Sequence, residues 1–188
     1  LTSSLFFYDQ RAEYMDYYER GLYNDILASV AENTPANTYH ILLRPGSVKQ
    51  FGNSKMNGFT CCNGTALESN TKFQNSIYFK SIDNEALYVN LYVPSTLKWT
   101  GKKVTIVQKT NFPNEDHTLL TIQGEGKFEL NLRVPNWATK GFFVKINGKE
   151  EKVKAVAGSY LTLNRKWKNG DTVELRMPFQ FHLDPVMD

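Results

Sequence analysis

Sulfur is scarce in this sequence: of 188 residues only two are cysteine, and they are adjacent, Cys61 and Cys62. Two thiols cannot supply the disulfide framework of a small secreted domain, and neighbours in sequence can bond to each other only through a strained ring. The chain also has no run approaching the ~20 apolar residues of a membrane span. Its longest aromatic start, Leu5-Phe6-Phe7-Tyr8, is too short for a signal-peptide core. An excess of one charge is likewise missing, since 22 Lys and Arg stand against 19 Asp and Glu. Charges of both signs are interspersed along the chain, so the basic stripe that nucleic acid requires is not there. Neither a nucleic acid nor a membrane is expected as a partner. No internal repeat or low-complexity tract occurs, which removes solenoids and flexible linkers from consideration. The first residue is Leu1, not Met, and the opening residues read like the inside of a helix, so an excerpt of a longer protein is expected.

What the chain does contain changes character at about Ser76. Over residues 9–30, Tyr14, Tyr18, Leu22, Ile26 and Val30 recur every fourth position, with Met15, Tyr23 and Leu27 widening the stripe. That spacing predicts one long amphipathic helix. Nothing near it supplies a partner of similar length, so its stripe is expected to need neighbours from elsewhere, and self-association of the excerpt through this helix is expected. Residues 32–57 carry Asn, Pro, Gly and Ser without periodicity and read as a long loop, with one short strand over 39–43. Loops of that length in compact proteins usually serve function.

Beyond Ser76 the period becomes two. Segments 77–79, 86–93, 104–109, 118–123, 128–134, 142–147, 160–164 and 172–177 read as eight strands, separated by turn signals such as Asn147-Gly148 and Asn169-Gly170-Asp171. The clearest alternation sets Phe128, Leu130, Leu132 and Val134 against Glu129, Asn131 and Arg133. Strands without intervening helices predict an antiparallel β-sandwich of jelly-roll type. The fold class is therefore α+β, a helical segment over residues 1–75 followed by a sandwich over 76–188.

Chemistry should be sought at Phe59-Thr60-Cys61-Cys62-Asn63-Gly64-Thr65. Vicinal thiols next to a helix start offer two soft metal ligands, or a thiolate beside the positive end of a helix dipole. The bland reading is a pair of buried small apolar residues. Thr65-Ala66-Leu67-Glu68 fits a capping box, in which the hydroxyl caps the first turn and the glutamate reaches back. Glu68 is therefore read first as structural, with a catalytic or metal-ligating role as the other candidate.

These residues resemble a known family. The stretch from Phe59 to Ser69, with Lys72-Phe73 and Ser76-Ile77-Tyr78-Phe79 after it, is similar to the double-cysteine segment of glycoside hydrolase family 127, the bacterial β-L-arabinofuranosidases. Tyr18-Glu19-Arg20-Gly21-Leu22-Tyr23-Asn24 resembles a helix of that family's α/α toroid, and Leu43-Arg44-Pro45-Gly46 the loop before its cysteines. Leu132-Arg133-Val134-Pro135-Asn136-Trp137-Ala138, Ile146-Asn147-Gly148 and Arg165-Lys166-Trp167-Lys168-Asn169-Gly170-Asp171 resemble its β-domain. The resemblance implies a catalytic toroid followed by β-sandwich domains and retaining hydrolysis through a cysteine nucleophile in a zinc site. By position, Cys61 matches the nucleophile, which also ligates the metal, and Cys62 the neighbouring zinc ligand. Tyr39 and His40 fall in a loop that faces the family's active site and are candidates for sugar contact. The expected partner is an arabinose-containing oligosaccharide or glycan. A periplasmic or secreted location would suit such a substrate, with the cytoplasm left open.

The chain departs from the family's pattern in one respect. The remaining zinc ligands, a glutamate and a cysteine, and the acid/base glutamate precede the helix that begins here near Leu1, and Glu13 and Glu19 match no catalytic position. The excerpt alone is expected to be inactive and to bind zinc poorly. Two other readings stay open: a non-catalytic carbohydrate-binding or structural sandwich, with Trp99, Trp137 and Trp167 stacking on sugar rings, and a vicinal-disulfide redox switch.

Overall fold

The computed structural model describes residues 2–34, 36–40, 42–52, 61–181 and 183. Among these residues ten strands form two sheets. β1 (Tyr78–Lys80), β2 (Ala86–Val89), β6 (Gly126–Val134) and β9 (Ser159–Trp167) make a four-stranded sheet in the order β1-β2-β6-β9. β3 (Ser95–Trp99), β4 (Val104–Thr110), β5 (His117–Gln123), β10 (Thr172–Arg176), β7 (Phe143–Ile146) and β8 (Lys149–Glu151) make a six-stranded sheet in the order β3-β4-β5-β10-β7-β8. All pairings are antiparallel except β2 with β6.

Alternation drives the stacking. In β4, β5 and β10 every second residue is buried, so Ile106, Ile122, Val173 and Leu175 face inward. From the other sheet Leu87, Leu130, Leu132 and Trp167 meet them in one continuous core. Burying such side chains contributes about 1.5–3 kcal/mol each, which makes this core the main source of stability in the chain. The Asn147-Gly148 turn joins β7 to β8 with both residues at positive φ, 52° and 75°, the conformation that a tight hairpin requires. All eight expected strands are present, and the expectation of a helical segment followed by a sandwich holds.

The two strands that the period did not predict are β3 and β8, and both are edges of the six-stranded sheet. Edge strands carry polar residues on faces that water reaches, so the apolar alternation fades there. No strand occurs among the described residues of the segment expected as one, 39, 40, 42 and 43, residue 41 lying outside them; the bridge described near that loop joins Val30 and Asn37.

The expected single helix over 9–30 is three pieces. Helix α1 (Thr2–Leu5) precedes α2 (Ala12–Gly21), which continues as a π-helical turn over Leu22–Ile26 and a 3-10 turn over Leu27–Ser29. Nor is its stripe left without partners, as was expected. The helical layer lies on the outer face of the four-stranded sheet, where Phe6, Met15 and Phe79 cluster with Tyr18, Tyr88 and Tyr160. Farther along, Leu22 packs with Ile77 and Leu91. The face that is buried differs from the apolar stripe, because it includes Asp16 and Glu19 while Leu27 stays exposed.

That helical cover also corrects the reading of β6. Asn131 and Arg133 were assigned to solvent by alternation, yet both are buried, since the second half of β6 has the core on one side and α2 on the other.

Candidate active site around Cys61 and Cys62

Helix α3 (Cys61–Lys72) carries both thiols in its first turn. The capping-box reading fails here because the helix already includes Cys61. Thr65 is then interior to it, and its hydroxyl donates to the Cys61 carbonyl at 3.3 Å instead of capping a first turn. Glu68 does not reach back either. Its carboxylate takes the Lys72 ammonium one turn on, and that hydrogen bond and charge hold it below the usual carboxylate range. Seven residues at a rise of ~1.5 Å put its Cα roughly 10 Å along the axis from that of Cys61, so Glu68 stands apart from the thiols.

Both cysteines are free, Cys61 exposed and Cys62 half-buried, with their sulfurs 4.0 Å apart. Burial, the hydrogen bond to Cys61 and the charge of Cys61 push the Cys62 thiol up. The geometry admits a shared cation: two thiolates span ~3.8 Å across a tetrahedral zinc with ~2.3 Å bonds. The pair fits half of a zinc shell. Among the described residues no group of three or more His, Cys, Asp and Glu side chains could complete it.

The 36–40 loop is brought to the thiols by a chain of hydrogen bonds. Thr38 N donates to the Ser29 carbonyl at 2.7 Å and Ala31 N to that of Ala36 at 2.8 Å, which fastens the loop to the end of the first helical segment. Asn63 then donates from Nδ2 to Oδ1 of Asn37 at 2.6 Å, tying the loop to α3. Tyr39, two residues on, lies near enough to the thiols that the charges of Cys61 and Cys62 push its phenol up. His40 packs edge-on against the Tyr39 ring, centroids 4.5 Å apart. Of the residues singled out in the sequence, Cys61, Cys62, Tyr39 and His40 are thus adjacent, and Glu68 is not among them.

Sequence reasoning missed the polar joint between α2 and the sandwich. Arg133 is completely buried and donates through Nη1 to Asp16 and Nη2 to Glu19. Its Nε donates to the Asn90 carbonyl at 2.6 Å. Trp137 Nε1 adds a donor to Glu19 at 2.8 Å and Asn136 N one to Asp16 at 3.3 Å. Burial disfavours the Arg133 charge, but Glu19 and Asp16 outweigh it and its pKa lies above the ordinary value. The signal was Asp16 and Glu19, two carboxylates three residues apart that flank Tyr18 of the apolar stripe.

Trp167 and Trp99 are in the core, which removes them as stacking residues, whereas Trp137 is half-buried, stacked on Phe112 at 5.8 Å, bonded to Glu19, and lines an open cavity with Tyr17 and Tyr23.

The fold, a helical layer on one sheet of a β-sandwich, is similar to that of solved glycoside hydrolases. The chain is similar to a solved glycoside hydrolase at 28% identity and TM-score 0.75, over 90% of this chain and 30% of the other. It is similar to a GH127 β-arabinofuranosidase at 26% identity and TM-score 0.77, over 94% and 30%. A third similar structure is a GH127 β-L-arabinofuranosidase from Geobacillus stearothermophilus T6, at 28% identity and TM-score 0.74, over 94% and 30%. Residues 1–75 match the family described as β-L-arabinofuranosidase, GH127 catalytic domain, and residues 86–179 the GH127 middle domain. The chain belongs to the GH127 family. It spans about 30% of the length of the solved structures it matches. No curated protein matches it. No helix among the described residues is long and apolar enough to cross a membrane.

Proposed function

We propose that this chain is the cysteine-bearing end of the catalytic domain, with the sandwich that supports it, of a retaining glycosidase acting on β-L-arabinofuranosides in arabinose-containing glycans. The observation that carries this reading is the arrangement at the head of α3, two free sulfurs 4.0 Å apart with Cys61 the more exposed. Cys61, the more exposed sulfur, is the nucleophile, and Cys62 is a zinc ligand beside it. A zinc ion on both sulfurs would hold them deprotonated at neutral pH.

The Cys61 sulfur attacks the anomeric carbon as the glycosidic carbon–oxygen bond breaks, and the departing oxygen takes a proton from a carboxylic acid. Water then attacks the same carbon, the carbon–sulfur bond breaks with its electrons returning to Cys61, and the carboxylate accepts the water proton. Two inversions give net retention. Tyr39 and His40 contact the sugar. The acid and the remaining zinc ligands belong to the part of the longer enzyme that this chain does not span.

Trapping tests the nucleophile. The full-length enzyme incubated with a slowly turned-over β-L-arabinofuranoside should carry one pentose on the Cys61 peptide by mass spectrometry, and Cys61→Ser should carry none. A pentose on Cys62 or on a carboxylate overturns the assignment.

A further inference from the structure

Where α2 meets the end of the sandwich, the two leave an open cleft of about 1090 Å³. Small-molecule sites reach ~1,000 Å³, so several sugar units would fit. None of the residues described as lining it belongs to α3 or to the 36–40 loop, and the thiols take no part in it. Part of the wall is aromatic. Trp137 stacks on Phe112 at 5.8 Å, Tyr23 meets the same Phe112 edge-on at 5.6 Å, and Tyr17 adds a largely exposed ring from α2. Beside the rings stand polar groups with bonds still to make. The exposed side-chain amides of Asn24 and Asn136 have no partner among the described residues, and each offers donors and an acceptor. Asp16, with its side chain only 6% exposed, spends Oδ1 on Arg133 and the Asn136 amide and keeps Oδ2 as an acceptor. The charges balance, since Glu13 pairs with Arg11, Asp16 and Glu19 share Arg133, and Arg20 supplies a third cation. Ring faces beside amides and a buried carboxylate, without surplus charge, suit a neutral sugar, which has apolar C–H faces and a rim of hydroxyls.

We infer that this cleft is a second carbohydrate site, which holds a neutral oligosaccharide apart from the thiols, with Tyr17 and Trp137 against its ring faces and Asp16, Asn24 and Asn136 on its hydroxyls. The site binds and breaks no bond. Its two walls are already fixed to each other, because Arg133 of β6 holds α2 through Asp16 and Glu19, so little conformational freedom is lost when a ligand enters. Binding there can be followed whether or not Cys61 is a nucleophile.

The test is calorimetric titration of the whole chain with linear arabinohexaose and, alongside it, xylohexaose, which is equally neutral and keeps the result independent of the sugar named for the hydrolase. At least one of the two should bind saturably, and a galacturonic acid hexamer should bind more weakly. Tyr17→Ala, a change at an exposed position, should weaken the neutral sugar by about fivefold or more, the order of one lost contact, and Asn136→Ala should do the same. Tyr17→Phe keeps the ring and should retain most of the affinity. In the full-length enzyme carrying Cys61→Ser, so that the probe is not cut, the bound hexaose should slow amide exchange over residues 136–139. Failure of both neutral sugars to bind overturns the inference, as does an unchanged affinity in Tyr17→Ala or Asn136→Ala. Binding of the acidic hexamer as tightly as the neutral ones would make this an anion site instead. Unaltered exchange over 136–139 in the full-length enzyme also overturns it, because the cleft would then be filled by the rest of that protein.

Discussion

In the sandwich the two sheets bury Ile122, Leu130, Trp167 and Val173 completely, whereas α3, with both thiols, has no buried residue in its 12 positions. Leu67, the helix's main apolar side chain, is mostly exposed, as are Leu42, Leu43 and Val48 in the loop before it. The sandwich is stabilised by its own core. The cysteine helix is held to the chain by a few polar contacts, among them Asn63 to Asn37. The apolar core and the paired thiols thus lie in different parts of one chain.

The comparison breaks most visibly if the thiols prove self-sufficient. Zinc affinity, measured by competition with a chromophoric chelator, should rise by roughly three orders of magnitude or more from this chain to the full-length enzyme, because two sulfurs leave half the tetrahedral shell to water. Stoichiometric zinc that resists chelation in this chain alone would mean the site is already complete. On the other side, Trp167→Ala should cost the sandwich about 3–5 kcal/mol in urea unfolding, the usual cost of deleting a fully buried large aromatic. A cost near zero would mean that the core is not what holds the sheets together.

The joint between the two regions has its own pH signature. Burial pushes Asp16 up, against the opposing charge of Arg133. Folded Asp16 therefore keeps its proton at pH values where the unfolded residue, near 3.8, has lost it. Its contribution to stability is full below that value and is lost as pH rises through the folded pKa. Asp171, held down chiefly by the Lys168 backbone amide, runs the other way and loses its contribution as pH falls. Asp16→Asn should therefore remove the falling part of the profile, so that urea midpoints across the weakly acidic range decline less with rising pH than in the unaltered chain. An identical profile would mean that Asp16 titrates alike folded and unfolded. The smallest effect belongs to α3. Glu68→Gln loses an exposed ion pair with Lys72, and the urea midpoint should not move beyond error. A clear loss would show that Glu68 has a partner other than Lys72.

Much of this was legible locally. The strands of the two sheets announced themselves wherever one face met the core and the other met water, and the Asn147-Gly148 turn was readable because so few residues accept its dihedral angles. The thiols were singled out by their motif context, and Tyr39 and His40 through the family resemblance. The reading failed where a third layer or an edge changed which face was dry. β3 and β8 lie at sheet edges and have little apolar alternation, and β6 is covered on both sides toward its end. The capping box failed because the helix had already begun at Cys61.

What the sequence determined by itself was periodicity, and with it the strands, their turns and the place of the cysteines, since these follow from side chains within a few positions of each other. What only the tertiary structure decided was which polar groups are removed from water and with whom. Arg133 and Glu19 lie 114 residues apart. A strand's period states which way a side chain points. It is silent about what arrives on that side, and here a helix arrived with two carboxylates to meet the one buried cation of β6.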